Sequence, residues 1–186
     1  MKRVILIHGW QWQPWNHWKG WLKTRLEIQG ITVIEPDMPN NSNRPDDWID
    51  RLAQVIWVPD YETVLIGHSL GCPTVIGYLM QLTGKEKIAG AILVAWFSSK
   101  LEAHGILHLW DFDSQEVKKA KKHCDNFVSI VSDNDPSVPL EKSKELNDLV
   151  GGKFILEHKK WHFCQEDGVR ELESVYNAVK DIFWLN

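Results

Sequence analysis

The chain alternates between short apolar runs and longer stretches in which apolar residues recur three and four positions apart. The runs at 4–8, 32–35, 63–67, 91–95, 127–132 and 153–157 are rich in Val, Ile and Leu and lack strict polar alternation. Strands buried on both faces read this way. The stretch 17–29 places Trp18, Trp21, Leu22 and Leu26 on one helical side, and 46–57 does the same with Ile49, Leu52, Ala53 and Ile56. Segment 70–82 carries Val75, Ile76, Leu79 and Met80, and 168–183 carries Leu172, Val175, Val179 and Ile182. Two further helices are expected at 115–123, which is short and lysine-rich, and at 140–149. Strand and helix alternate throughout, which predicts an α/β fold: about six parallel strands with helices on both faces, three layers in all. One stretch breaks the pattern. Residues 96–113 form a long connection with no clear period, expected to be a minimal lid or pocket loop.

Composition narrows the picture. At 186 residues the chain is expected to form one domain, 1–186, large enough to bury a core without staples. A net charge of −4 offers no basic face for nucleic acid. No stretch reaches the ~20 apolar residues that span a bilayer. The N-terminal apolar run is only four residues, too short for a signal peptide, so a cytoplasmic location and no membrane association are expected. The three cysteines, Cys72, Cys124 and Cys164, fit no zinc or disulfide pattern. Cys72 lies at an expected helix N-terminus, where a thiol pKa can fall and give redox sensitivity, but it is expected to be a small packed residue. The chain has 11 tryptophans, expected mainly in the core and in pocket walls.

The most informative segment is Gly67-His68-Ser69-Leu70-Gly71, which follows one strand and opens a helix. In a G-x-S-x-G turn of this kind the serine stands on a strained corner with its hydroxyl exposed above the sheet. The glycines leave room where strand and helix crowd together. A serine hydroxyl needs a base, and the base needs an orienting carboxylate. In this architecture they follow in the order serine, acid, histidine. Asp135, with Pro136 after it and Val138-Pro139 fixing the loop, is the expected acid in preference to Asp133. His162, in the loop before the last helix, is the expected base. His158 lies among lysines and is expected at the surface. The backbone N–H groups of Leu70 and Trp10 are the expected oxyanion donors, one beyond the serine and one after the first strand. His8 is expected to buttress that first loop. Trp12, Trp15, Trp96, Phe97 and Trp161 are the candidate pocket residues.

No cofactor or metal is expected. His104 and His108, and His158 and His162, are spaced i, i+4, but the first pair lacks the glutamate of H-E-x-x-H, and too few further ligands accompany either pair. The expected partner is a small-molecule acyl substrate, and no protein partner can be named. The competing reading is a hydrolase fold whose pocket only binds.

Taken together, these segments resemble the small α/β-hydrolases related to retinoblastoma-binding protein 9. The resemblance covers nearly the whole chain. It rests on residues 4–9, on His17-Trp18-Lys19-Gly20-Trp21, Pro36-Asp37-Met38-Pro39, Gly67-His68-Ser69-Leu70-Gly71, Leu93-Val94-Ala95, Asp133-Asn134-Asp135-Pro136 with Val138-Pro139, and His162-Phe163. It implies a compact α/β-hydrolase fold and a triad of Ser69, Asp135 and His162. The family usually has glycine before the histidine, where this chain has Trp161. It lacks the L-x-C-x-E motif, so the resemblance implies no retinoblastoma-type partner.

Overall fold

The structure is a computed structural model and describes residues 1–42, 44–97, 110 and 112–184. Among them, six strands form one parallel sheet, in the order β2-β1-β3-β4-β5-β6. The strands are β1 (Arg3–Ile7), β2 (Thr32–Ile34), β3 (Thr63–His68), β4 (Gly90–Val94), β5 (Phe127–Ser132) and β6 (Lys153–Glu157). The helices are α1 (Lys19–Ile28), α2 (Pro45–Ile56), α3 (Gly71–Gln81), α4 (Ser114–Ala120), α5 (Leu140–Val150) and α6 (Glu173–Phe183).

The strand residues alternate between two cores. Val4 and Leu6 of β1, Val64 and Ile66 of β3, and Ile92 and Val94 of β4 pack with Leu22 and Leu26 of α1 and Val175 and Val179 of α6. Ile5, Ile7, Leu65, Ala91 and Leu93 point the other way, into a layer built by α2, α3, α4 and α5. Each central strand buries both faces, so its apolar run is nearly continuous.

Local chemistry fixes the element ends. α2 begins with Pro45, followed by Asp46 and Asp47 in its first turn, where a missing N–H costs nothing and negative charge meets the helix dipole. Asp113 caps α4 by accepting the Gln115 N–H at 2.7 Å. α6 starts at Glu173, five residues later than the periodicity suggests. Gly168 there sits at φ +81° and Leu172 at φ −140°, so the chain turns before it coils.

The chain leaves β1 toward β2 and returns to the other side of β1 as β3. The switch of direction therefore falls between β1 and β3. In open parallel sheets the crevice at the carboxyl ends of two such strands is where ligands bind. Residues 98–109 and 111, most of the expected pocket loop and both His104 and His108, lie outside the described residues.

Candidate active site

Ser69 occupies the corner between β3 and α3 at φ +54°, a left-handed conformation that serine rarely adopts. Its N–H donates to the Val94 carbonyl of the neighbouring strand at 3.0 Å, and its carbonyl accepts from Cys72 N–H at 2.9 Å. The two motif glycines are required by space. A Cβ on Gly71 would lie 2.3 Å from the Ile7 carbonyl oxygen, and one on Gly67 would lie 2.6 Å from Gly71 itself. Helix α3 can start this close to β1 only without those side chains.

Asp135 and His162 come from the loops after β5 and β6. Ser69 Oγ lies 2.9 Å from His162 Nε2, and His162 Nδ1 lies 2.8 Å from Asp135 Oδ2. The Asp135 carboxylate is 2% exposed, and its other oxygen accepts the N–H groups of Ser137 and Val138 at 2.8 and 3.0 Å. A buried carboxylate needs such donors. With Oδ1 engaged by the backbone, Oδ2 faces the imidazole, which fixes Nδ1–H as donor and leaves the Nε2 lone pair toward Ser69.

The loop carrying His162 is strained. Lys159, Trp161 and Phe163 sit at φ +57°, +49° and +59°. Side chains hold it in place. Lys159 N–H donates to Asp133 Oδ1 (2.8 Å), Lys160 N–H to Ser132 Oγ (3.0 Å) and Trp161 N–H to Asn134 Oδ1 (2.9 Å). Asp167 accepts the N–H groups of His162 and Cys164. Asp133 also pairs with the exposed His158; the Lys159 N–H, and after it this imidazole, hold its carboxyl below the usual carboxylate range. Asp133 thus braces the loop, while Asp135 meets the imidazole. The consecutive polar residues 132–135 after a buried strand were the available signal for this bracing; for Asp167 there was none.

The left-handed backbone at Trp161 is the position where the resemblance expects glycine. Trp161→Gly is accordingly expected to be more stable than Trp161→Ala by about 1 kcal/mol, since both lose the same half-exposed ring and only alanine keeps the strain. Thermal denaturation of the two variants measures the difference.

Leu70, with its N–H at the threshold of α3, is buried, and Trp10 lies in the loop after β1. Among the described residues neither backbone N–H has an acceptor. His8 is fully buried; Nδ1–H donates to the Gly9 carbonyl (2.8 Å), and Nε2 accepts the Met38 N–H (3.2 Å). Burial lowers its pKa, which keeps the imidazole in this neutral, two-bond arrangement. Asn40 ties down the same loop through the Trp12 carbonyl and the Gln11 N–H.

The candidate pocket aromatics separate into groups. The Trp12 ring lies 6.0 Å from that of His162, while Trp15 and Trp161 are 65% and 51% exposed. Trp96 and Phe97 are buried in the core on the α2–α5 side, at 0% and 2% exposure. Their large apolar surfaces pack on that side of the sheet. Cys72 is packed, as expected: its thiol is fully buried against the carbonyls of Gly67 and Val94, and burial pushes its pKa well up despite the helix N-terminus.

His158 and His162 are engaged by Asp133 and Asp135 and do not converge. One group among the described residues has metal-ligand character: atoms of His17, Cys164 and Glu166 lie within 4.8 Å of one another. His17 Nδ1 there accepts the Gln165 N–H at 2.9 Å, which occupies its lone pair. No helix among the described residues is long and apolar enough to cross a membrane.

Residues 4–181 match the family described as Serine hydrolase. The chain is 32% identical to YdeN of Bacillus subtilis (strain 168) over 186 residues, covering 98% of this chain and 96% of the relative. The crystal structure of the B. subtilis ydeN gene product superposes with a TM-score of 0.88 at 30% identity, over 98% of this chain and 99% of the other. Est1E from Butyrivibrio proteoclasticus matches at a TM-score of 0.74 with 17% identity, over 98% of this chain and 87% of that one. A meta-cleavage product hydrolase from Pseudomonas fluorescens IP01 matches at 0.75 with 15% identity, over 98% and 90%. At such identities these last two speak for the α/β-hydrolase fold alone.

Proposed function

The chain belongs to the serine hydrolase family, and from that membership we propose that it cleaves a small carboxylic ester, thioester or amide through an acyl-enzyme on Ser69. The observation that carries the reading is the unbroken relay Ser69 Oγ, His162 Nε2, His162 Nδ1, Asp135 Oδ2, with spacings of 2.9 and 2.8 Å.

His162 takes the Ser69 proton as Oγ bonds to the substrate carbonyl carbon. The carbonyl oxygen becomes an oxyanion and is met by the Leu70 and Trp10 N–H groups, which have no other described acceptor to give up. The imidazolium forms beside a buried carboxylate, which stabilises it. As the tetrahedral species collapses, the bond to the leaving group breaks and His162 delivers its proton to the departing alcohol, thiol or amine. Water then attacks the acyl carbon, His162 accepts its proton, and the acid leaves with Ser69 restored. The acyl group is short or aromatic in this reading, with the partly exposed Trp12 and the exposed Trp15 and Trp161 forming the rim.

A panel of p-nitrophenyl esters of graded chain length, with aminoacyl substrates alongside, tests the proposal. Turnover should be fastest for acetyl to butyryl or benzoyl esters and should fall by about tenfold or more for dodecanoyl, each run against Ser69→Ala. Equal rates for the wild-type and the alanine proteins would overturn it.

A further inference from the structure

The residue before the nucleophile is also tied to the base. His68 is the last residue of β3 and is fully buried. Its Nε2 lies 2.9 Å from the backbone carbonyl oxygen of His162. A carbonyl can only accept, so Nε2 carries the hydrogen and donates. Nδ1 then carries a lone pair, and it is the atom of this ring that has no partner among the described residues. A buried lone pair without a partner costs less than a buried N–H without one, so the two observations assign the same tautomer.

The ring cannot drift. Trp12 and Trp18 lie 4.6 and 5.5 Å from it, and His17 lies 5.7 Å away on the Trp12 side. Burial and the nearby Lys19 ammonium keep the imidazole neutral, so it is a single-hydrogen donor to that carbonyl. The other side-chain bonds to the backbone of the His162 loop come from Ser132 at the end of β5, Asp133 and Asn134 after it, Cys164 and Asp167 of the same loop, and His17. The bond from His68 is the one that comes from the strand presenting Ser69, one residue from the nucleophile itself. It links the backbone of the base directly to the backbone of the nucleophile, across a loop with three left-handed residues that needs external restraint.

We propose that His68 is a positioning residue for the hydrolytic reaction: by donating to the His162 carbonyl it sets the separation between the His162 imidazole and the Ser69 hydroxyl. This inference rests on the hydrolase reading above. His68 has no exposed surface, so it acts through His162 and does not touch substrate.

The test compares two amides that differ in reach. His68→Gln places an N–H₂ near the position of Nε2, whereas His68→Asn places it near Nδ1, short of the carbonyl. With a p-nitrophenyl ester, Asn is expected to lower kcat by about 30- to 100-fold with KM within about twofold, the size of loss that a small misplacement of reacting groups produces. Gln is expected to stay within about fivefold of wild type. Equal loss in the two variants, or none in either, overturns the positioning role and leaves the Ser69 reaction untouched, since that is judged separately by Ser69→Ala. A measurement on the unaltered protein stands beside these. The ¹⁵N resonances of His68 must report a neutral ring protonated at Nε2 at pH 7; protonation at Nδ1 contradicts the assignment whatever the variants do.

Discussion

Alanine at position 69 is expected to lower kcat/KM by about 10⁴-fold or more for any ester the wild-type protein turns over. In the proposed reaction the hydroxyl is the atom that bonds to substrate, and no other described side chain lies on the His162 Nε2 face at hydrogen-bond distance to replace it. What survives is the contribution of the N–H groups around the oxyanion, which act on water attack as well. The variant should fold, because the strain at φ +54° resides in the backbone and alanine tolerates it about as well as serine. Asp135→Asn gives the complementary result. Its carbonyl oxygen can still accept from Ser137 and Val138, so the loop stays in place. Its amide, however, turns a donor toward His162 Nδ1 and favours the wrong tautomer, and kcat should fall by ~10³- to 10⁴-fold with KM little changed. Initial-rate kinetics on both variants, with circular dichroism to confirm folding, measure these effects.

Lys19→Met is expected to raise stability by ~2–3 kcal/mol at pH 6, seen as an increase of about 5–10 °C in Tm. Lys19 opens α1 with a fully buried side chain, and its Nζ has no hydrogen-bond partner among the described residues. The rings of Trp12 and Trp18, 5.4 and 5.5 Å away, return only part of the lost hydration. Burial lowers its pKa from 10.5 to about 7. Below about pH 7 the folded protein carries this buried charge and bears its full cost. Between about 7 and 10.5 the unfolded lysine holds a proton that the folded one has released, so wild-type stability rises with pH through that window. Burial pushes Cys124 and Cys164 up to about 12, and these thiols act in the opposite sense above about pH 9. Cys124 is common to both proteins and cancels in the comparison; Cys164, which the Lys19 charge pulls down, differs between them only above about pH 9. The gain from methionine should therefore be greatest at pH 6 and shrink steadily toward pH 10. A methionine variant less stable than wild type at pH 6 would mean that Lys19 has a strong favourable interaction.

The sheet was legible because each central strand is buried twice over. Runs such as 63–67 and 127–132 have no polar face to confuse them with a helix, and β5 falls where the run predicts it. The corner at Ser69 was legible because so tight a strand-to-helix turn needs a glycine two residues to either side, and the glycine spacing reports a close approach, here Gly71 against the Ile7 carbonyl. Asp135 and His162 were legible from order and loop position. Other features depend on contacts between distant segments and leave no local trace. Lys19 sits in a helical pattern beside Trp18 and Trp21, and nothing in that pattern shows that it faces inward. Asp133 stands two residues before Asp135, and its bracing role is set by contacts with the loop after β6 that its own segment does not show. That Trp96 and Phe97 are buried is likewise set by distant segments, since α2, α3 and α5 converge on that side of the sheet. Backbone conformation is hidden as well: three left-handed residues in succession at alternate positions, 159, 161 and 163, are not glycines.

The most direct test of the central claim is the mass of the intact protein after reaction with a fluorophosphonate at pH 7, followed by peptide mapping. One phosphonyl group per chain, located on the oxygen of Ser69 and absent from Ser69→Ala, is the predicted result. An unmodified wild-type chain, or a phosphonyl group carried on another residue and retained in the alanine variant, would contradict the account.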